Sequence, residues 1–130
     1  MPLPTALPHP IAEPNSQPQL PVLLDLQHLA RQTLGIATLR SEVLGMFETE
    51  LAGFAEALRA APDARTWQRL AHTMKGVSMN LGAFALADQC RAIERLDLAP
   101  GSAARAETIE GIAAGIARTR MAIAAARLAG

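Results

Sequence analysis

The chain has 130 residues, half of them apolar, and equal numbers of acidic and basic side chains leave it without net charge. This length suits one domain with a real hydrophobic core, and abundant Ala and Leu with few aromatic residues favour helices over sheet. The charge balance argues against general nucleic-acid binding, no apolar run approaches the roughly 20 residues that span a bilayer, and no secretory signal is visible. A single cysteine excludes an internal disulfide and is consistent with a reducing compartment. A soluble cytoplasmic protein is therefore predicted, and it is expected to be a monomer.

Residues 1–21 are predicted to form a disordered or extended tail. They contain seven of the nine prolines, and proline at this density blocks helices because it removes backbone donors. His9 lies in this segment and is expected to be a solvated bystander. The domain is therefore predicted to cover residues 22–130.

Two helical segments are predicted directly after the tail. The first begins at its cap, Asp25, and runs to about Leu34, where Gly35 ends it. The second covers about residues 37–60. Its apolar residues repeat at every third or fourth position and predict one core face: Val43, Phe47, Leu51, Phe54 and Leu58.

Three more helices complete the predicted fold. Asp63 caps a third helix over residues 64–81, and a fourth is predicted over residues 83–98. The last begins after its cap, Ser102, and runs to about Leu128. Four long amphipathic helices with short connections predict an all-α, antiparallel four-helix bundle. The short first helix would lie across one end of this bundle or cap it.

The third predicted helix separates a core face from a polar face. A helical wheel at about 100° per residue groups its apolar residues on one side: Trp67, Leu70, Met74, Val77 and Leu81. The opposite side holds a second set: Arg65, Gln68, Arg69, His72, Lys75, Gly76 and Met79. This pattern argues against a core histidine at position 72 and leaves an ordinary surface histidine as the alternative.

Three neighbouring residues on the polar face together suit a phosphoryl group. A glycine inside a helix costs about 1 kcal/mol relative to alanine, so Gly76 indicates that open space is needed one turn after His72. Lys75 brings a positive charge to the same face, and an ordinary solvated lysine is the alternative. The neutral imidazole of His72 is then predicted to attack phosphorus and to carry the phosphoryl group as phosphohistidine.

The segment from residue 72 to residue 82 resembles the signature of histidine-containing phosphotransfer (HPt) domains, His-x-x-Lys-Gly-x-Ser-x-x-Leu-Gly. It matches at six positions: His72, Lys75, Gly76, Ser78, Leu81 and Gly82. Met74 and Val77 depart from the commonest residues, but both lie on the core side. The resemblance covers residues 22 to about 128 and implies a four-helix bundle of about this size.

The resemblance implies roles for individual residues. His72 would exchange a phosphoryl group with an aspartate of a response-regulator receiver domain, and Lys75 would stabilise the phosphoryl charge. Some family members place a Gln or Glu on the next helix, bound to the other imidazole nitrogen. Glu94 falls at this place and either makes that hydrogen bond or faces solvent.

The remaining predictions concern docking and partners. Gly76 would give a partner room to approach, and Met79 is an exposed apolar residue that either suits a docking surface or is accidental. Gln68 and Arg69 complete the predicted docking surface. The expected partners are receiver domains and a hybrid sensor histidine kinase. No cofactor is expected on this chain, because the resemblance places the Mg²⁺ on the receiver.

Three other functions compete with this interpretation. The chain is not predicted to be a kinase or another enzyme, because it has no Gly-rich ATP-binding segment. A helical module that binds receivers without carrying phosphate is the alternative function. A metal-dependent bundle is disfavoured, because no Glu-x-x-His pair occurs and Cys90 with one histidine is too little for zinc. His28 is expected to be a surface or capping residue.

Overall fold

The structure is a computed structural model that describes residues 22–129. Within this range it has five helices and no strand: α1 Leu26–Gln32, α2 Ala37–Ala60, α3 Ala64–Asn80, α4 Phe84–Ile93 and α5 Ala103–Ala129. The all-α class predicted from the sequence is confirmed. The proline-rich tail predicted for residues 1–21 lies outside the described residues.

The four longer helices form a closed ring. Each of the pairs α2–α3, α3–α4 and α4–α5 is in contact, and α5 packs back against α2. Short connections between consecutive helices make neighbours run in opposite directions, as in an antiparallel four-helix bundle. One apolar core lies inside the ring, with its largest fully buried side chains on α2, α3, α4 and α5: Phe47, Leu44, Leu51, Leu58, Trp67, Leu86, Ile112 and Ile123.

Side-chain caps fix where three of the helices begin. Asp25 accepts a hydrogen bond from the backbone N–H of His28 at 3.0 Å. Asp63 accepts one from Thr66 at 2.8 Å, and the hydroxyl of Ser102 accepts one from the N–H of residue 105 at 3.1 Å. All three predicted caps are confirmed, because each satisfies an N–H that has no partner within its helix.

Helix α4 is shorter than predicted. It ends at Ile93 rather than near Leu98, and Leu96, which falls within the predicted helix, is 37% exposed. The carbonyl of Ile93 accepts a hydrogen bond from the indole N–H of Trp67 at 2.8 Å and one from the backbone N–H of Leu96 at 3.1 Å. These two bonds occupy the carbonyl that would otherwise accept a hydrogen bond from the N–H four residues later in a continuing helix. The helix therefore ends, and the chain turns away at Glu94.

Some of the residues buried on α2 and α3 are not the ones that the sequence predicted for the core. Leu44 is fully buried, whereas Val43 is partly exposed. On α3 the fully buried residues include Ala71 and Ser78. Three of the residues assigned to its core face are only partly buried against the core: Leu70, Val77 and Leu81.

Helix α1 lies against the turn between α3 and α4. The backbone N–H of Asp25 donates to the carbonyl of Gly82 at 2.8 Å, and the His28 ring nitrogen Nε2 lies 3.0 Å from the carbonyl of Asn80. Gly82 has a φ of +86°, and a Cβ at this residue would lie 2.8 Å from the Asp25 carbonyl oxygen. A side chain there would be strained and obstructed, so glycine permits both the turn and the docking of α1. Across residues 22–129, no helix combines the length and the apolar character that crossing a membrane requires.

Candidate functional site

His72 lies in the middle of α3 and points away from the bundle core. Its side chain is 68% exposed, in agreement with the polar face predicted for this helix. Ring nitrogen Nδ1 lies 3.2 Å from Oε2 of Glu94. Within residues 22–129 the other ring nitrogen, Nε2, has no hydrogen-bond partner, so it faces the surface with room for a reacting group.

Glu94 stands between His72 and Lys75. It is the residue directly after α4, and its side chain is only 9% exposed. Oε1 lies 2.7 Å from Nζ of Lys75 and has no other polar partner within the described residues, while Oε2 approaches His72. One carboxylate therefore connects the cation and the imidazole, and the structure brings together all three predicted residues.

The charge of Glu94 follows from this arrangement. Its hydrogen bond with Lys75 holds the pKa of the carboxyl below the ordinary value, against the opposing effect of burial, and the contact with His72 lowers the pKa further. An ionised carboxylate only accepts hydrogen bonds. It therefore selects the tautomer of His72 in which Nδ1 carries the proton and Nε2 has the free lone pair.

Trp67 fixes the place of Glu94. This side chain is buried at the contact of α3 with α4, and its indole N–H donates to the carbonyl of Ile93, the residue before Glu94. The sequence interpretation gave Trp67 a core role only. A signal for the second role was available, since a buried indole N–H nearly always needs an acceptor.

A shallow depression adjoins His72 on the side toward the start of α3. It has a volume of about 380 Å³ and is lined by five residues: Arg65, Gln68, Arg69, His72 and Glu94. Two guanidinium groups thus lie beside the imidazole, where an anionic group would be attracted. The predicted docking residues Gln68 and Arg69 belong to this depression.

Gly76 and Met79 lie on the other side of His72 along α3. Gly76 is exposed, and a Cβ built there would meet no atom within 4 Å. Met79 is 42% exposed. The helix surface next to His72 is therefore open to a partner in this direction, as the glycine and the exposed methionine predicted.

An apolar groove between α2 and α3 was not predicted. It has a volume of about 270 Å³, and its lining residues come from both helices: Glu50, Gly53, Phe54, Ala57, Arg69, Leu70, Thr73 and Met74. Arg69 lines both the groove and the depression, so the two features are neighbours on the surface. Gly53 was the available signal, because a second glycine inside a long helix indicates a need for space there.

Three of the signature residues support the fold and lie outside the site. Ser78 is fully buried, Leu81 packs partly against the core, and Gly82 forms the turn that contacts α1. His28 lies at this same turn, with its ring edge-on to Phe84 at 5.1 Å between centroids. Within residues 22–129, no three His, Cys, Asp or Glu side chains form a group that could hold a metal ion.

Comparison with known protein families gives one match. The family model described as Hpt domain matches residues 39–127, which include most of α2, all of α3 and α4 and most of α5. Comparisons with curated proteins and with solved structures gave no match. The chain therefore belongs to the Hpt domain family, whose members have a phosphotransfer role in two-component signalling.

Proposed function

We propose that His72 accepts a phosphoryl group and exchanges it with the aspartate of response-regulator receiver domains. One observation carries this proposal: an exposed imidazole has one nitrogen bound by a buried carboxylate and the other nitrogen open to the surface. An ordinary surface histidine has no need of such a partner. A carboxylate behind an imidazole fixes its tautomer and orientation in many sites where the opposite nitrogen reacts.

The proposed step balances without an external proton donor. The Nε2 lone pair of His72 attacks phosphorus, the bond from phosphorus to the aspartate oxygen breaks, and the electron pair leaves with the aspartate carboxylate. Nδ1 keeps its proton, so the phosphorylated ring carries a positive charge, which Glu94 stabilises. The return transfer uses the same atoms in reverse.

Positive charge near His72 supports the phosphoryl group in this proposal. Lys75 and Arg69 would stabilise its negative oxygens, since phosphoryl transfer depends more on positioning and charge than on proton movement. The Mg²⁺ that such transfers use would reside on the receiver. In the structure Lys75 forms an ion pair with Glu94, which places its ammonium group close to His72.

The proposed docking surface surrounds His72 on α3. Gln68 and Arg69 would contact the receiver on one side, and Gly76 and Met79 on the other. The apolar groove between α2 and α3 adds a surface that fits an apolar side chain or helix edge of the partner. Met79 and this groove would supply apolar contact, whereas Arg69 would mainly speed the encounter.

The proposal extends to the setting in which the protein works. A hybrid sensor histidine kinase would supply the phosphoryl group through its own receiver, and the protein would act as a cytoplasmic monomer. It would serve as a phosphocarrier without kinase activity. Family membership supports partners within two-component signalling in general.

Phosphoryl transfer from a labelled receiver tests the proposal. The wild type should gain one acid-labile, base-stable phosphate, and His72→Gln should abolish this label while it keeps the fold, because the side chain makes no core contact. His28→Gln is the matched control and should be labelled like the wild type. Labelling that persists in His72→Gln would contradict the assignment. Binding of receivers without labelling of the wild type would instead support the alternative, a helical interaction module that carries no phosphate.

A further inference from the structure

The apolar groove between α2 and α3 lies open near His72, and no residue within 22–129 covers it. We propose that residues 7–14 of the proline-rich tail bind in this groove and compete with receiver domains for the surface beside His72. The competition rests on the proposed function of His72, whereas the binding of the tail does not depend on phosphoryl transfer.

The groove has the chemistry of a site for an apolar segment. Its floor is formed by the buried side chains of Phe54 and Met74 and by the partly buried Leu70. Gly53 lies on the α2 side, and a Cβ built there meets no atom within 4 Å, so another backbone can approach closely. Proline-rich segments bind apolar grooves that contain an aromatic ring, because they lose little conformational entropy on binding.

The tail has a composition that matches this groove. Residues 7–14 read Leu-Pro-His-Pro-Ile-Ala-Glu-Pro, so two prolines lie between the aliphatic residues Leu7 and Ile11. Residues 1–21 contain no Lys or Arg, and Glu13 is their only acidic residue. Apolar side chains with so little charge beside them favour contact with an apolar surface over full solvation.

Charge complementarity places Glu13 at the border of the groove. Arg69 lines both the groove and the depression, and Arg65 lines the depression. Neither guanidinium forms an ion pair with an acidic side chain of residues 22–129. Glu50, which also lines the groove, carries the same sign as Glu13 and disfavours its placement there. With Glu13 at Arg69, residues 7–11 lie within reach of the apolar floor.

The tail is long enough to reach this position. It joins the domain at residue 22, close to Asp25, whose N–H is bound to the carbonyl of Gly82 beyond the end of α3. Along α3, Arg69 lies about 20 Å from Gly82, at a rise of about 1.5 Å per residue. The segment from Glu13 to residue 22 spans up to about 30 Å when extended. A short tether also keeps the segment at a local concentration of about a millimolar, so a weak contact suffices.

A spin label on the tail of the full chain locates its binding site. A nitroxide is attached at Ala12→Cys, and the broadening of backbone amide signals is measured by NMR. The native Cys90 stays unlabelled at neutral pH, because it is buried and burial raises the pKa of its thiol to about 12. The amides of Gly53 and Thr73 at the groove should broaden strongly, whereas that of Gly111 on α5 should not. Broadening confined to α1, or spread evenly over the domain, would overturn the proposal.

Two double variants of the labelled chain test which side chains hold the tail. Leu7→Ser with Ile11→Ser removes the proposed apolar contacts and should abolish the broadening at the groove. Leu3→Ser with Leu20→Ser is the matched control, because it removes two aliphatic side chains from outside residues 7–14, and it should leave the broadening unchanged. Equal effects of the two double variants would contradict a specific site.

The groove can be changed separately from the tail. Gly53→Gln places a side chain in the groove while it favours the helix, so it should release the tail and abolish the broadening at Thr73. Gly111→Gln is the control and should leave this broadening unchanged. Circular dichroism checks that both variants are folded. Broadening that persists at Thr73 in Gly53→Gln would show that the tail binds elsewhere.

Titration with a receiver domain tests the competition. Bound receiver should remove the broadening at the groove. Because apparent affinity falls in proportion to the fraction of molecules whose surface is free, Leu7→Ser with Ile11→Ser should tighten receiver binding by about three- to tenfold. Leu3→Ser with Leu20→Ser should bind the receiver like the wild type. Receiver binding that leaves the broadening in place would overturn the competition.

The tail proposal and the phosphoacceptor assignment can fail separately. The spin-label measurement involves neither a receiver nor phosphate, so it decides the position of the tail even if His72 proves not to be the acceptor. Conversely, a tail that binds elsewhere would leave the labelling of His72 unaffected.

Discussion

Glu94 is the carboxylate that joins the other two groups of the candidate site. It lies at the junction between α4 and the following loop, and it binds an imidazole with one oxygen and an ammonium group with the other. Both contacts favour its charged form and lower its pKa. Its ionisation therefore couples the site to the stability of the fold.

This coupling predicts a pH dependence of stability. A carboxyl whose pKa is lowered by folding stabilises the native state fully above its unfolded pKa, and this contribution is lost as the pH falls through the folded value. The ordinary pKa is 4.5, so the stabilisation of wild type relative to Glu94→Gln should be present above this pH and shrink as the pH falls below it. Urea denaturation of both proteins between pH 3 and pH 7 measures this difference in unfolding free energy. A difference that does not vary over this range would show that the charge of Glu94 does not stabilise the fold.

Gly76 supports a prediction in which stability and function move in opposite directions. It lies in the interior of α3 with open space around it. Gly76→Gln should raise the unfolding free energy by about 0.5–1 kcal/mol, because glycine is a poor helix former. The same side chain should block the receiver and abolish transfer from a phosphorylated partner.

A second exposed glycine provides the control for this experiment. Gly111 lies in α5, and a Cβ there also meets no atom within 4 Å. Gly111→Gln should stabilise the protein similarly and leave transfer unchanged, since α5 lies across the bundle from α3. If Gly76→Gln is stabilised and still transfers at the normal rate, the open space at position 76 has no role in docking.

The sequence grouped the residues of the candidate site that share one helix, but it did not determine the contacts that other helices make with them. His72, Lys75 and Gly76 are close in sequence on one helix, so a helical wheel brings them together. The contact of Glu94 with His72 depends on where α4 ends. The sequence therefore left open whether Glu94 binds the imidazole or faces solvent. Packing between helices determines the bond from Trp67 to Ile93 and the groove beside Gly53. The periodicity of residues within one helix carries no information about this packing.

At the scale of elements, Arg105 connects three helices. Its guanidinium donates to four backbone carbonyls, and Nη2 is bound to Leu58 at 2.7 Å and to Ala61 at 2.6 Å. Three of the four carbonyls, those of Leu58, Arg59 and Ala61, lie at the C-terminal end of α2, where helices leave acceptors unsatisfied. The same group lies 5.2 Å from the ring centre of Trp67 on α3. Arg105 therefore ties the start of α5 to the ends of its neighbours.

Removal of this side chain should destabilise the protein strongly. Arg105→Met leaves buried carbonyls without a donor, and we expect the unfolding free energy to fall by about 2–4 kcal/mol. Arg105→Lys should show a smaller decrease in the unfolding free energy, because an ammonium group supplies donors but cannot reproduce the planar fork of the guanidinium. Arg118→Met is the control on the exposed face of α5 and should change stability by less than about 0.5 kcal/mol. Chemical denaturation measures all three, and equal stabilities for Arg105→Met and Arg118→Met would contradict the assigned role.

Helix starts were predicted more accurately than helix ends. Asp25, Asp63 and Ser102 each cap the helix that follows, because a cap acts through hydrogen bonds within one turn. The end of α4 was wrong by five residues, since it is set by a bond from Trp67, which is distant in sequence. Arg105 was not singled out, because nothing in its immediate sequence indicates that its side chain is buried.

At the scale of the whole molecule, α1 extends the family domain. The Hpt match begins at residue 39, after α1 has ended. Leu24 and Leu29 are nevertheless part of the core, and Asp25 binds the turn at Gly82. The bundle and α1 therefore share one hydrophobic core, and α1 braces the end of the helix that carries His72.

A mutation in α1 should consequently destabilise the entire domain. Leu29 is fully buried, and Leu29→Ala should lower the unfolding free energy by about 2–5 kcal/mol through lost burial and the cavity left behind. Unfolding should remain a single transition, and His72 should still accept phosphate in the folded protein. Leu34→Ala, at an exposed position after α1, should have an effect below about 0.5 kcal/mol. Separate transitions in Leu29→Ala would show that α1 unfolds independently of the bundle.

The single tryptophan also has a practical consequence. The chain contains one Trp and no Tyr, so its near-ultraviolet emission comes from the indole of Trp67. This ring lies beneath the guanidinium of Arg105 and donates to the residue before Glu94. Its fluorescence is therefore a natural reporter of the junction between α3 and α4. Phosphorylation of His72 that displaced Glu94 would change the emission while the bundle stayed folded, and so the protein carries its own optical probe of the site.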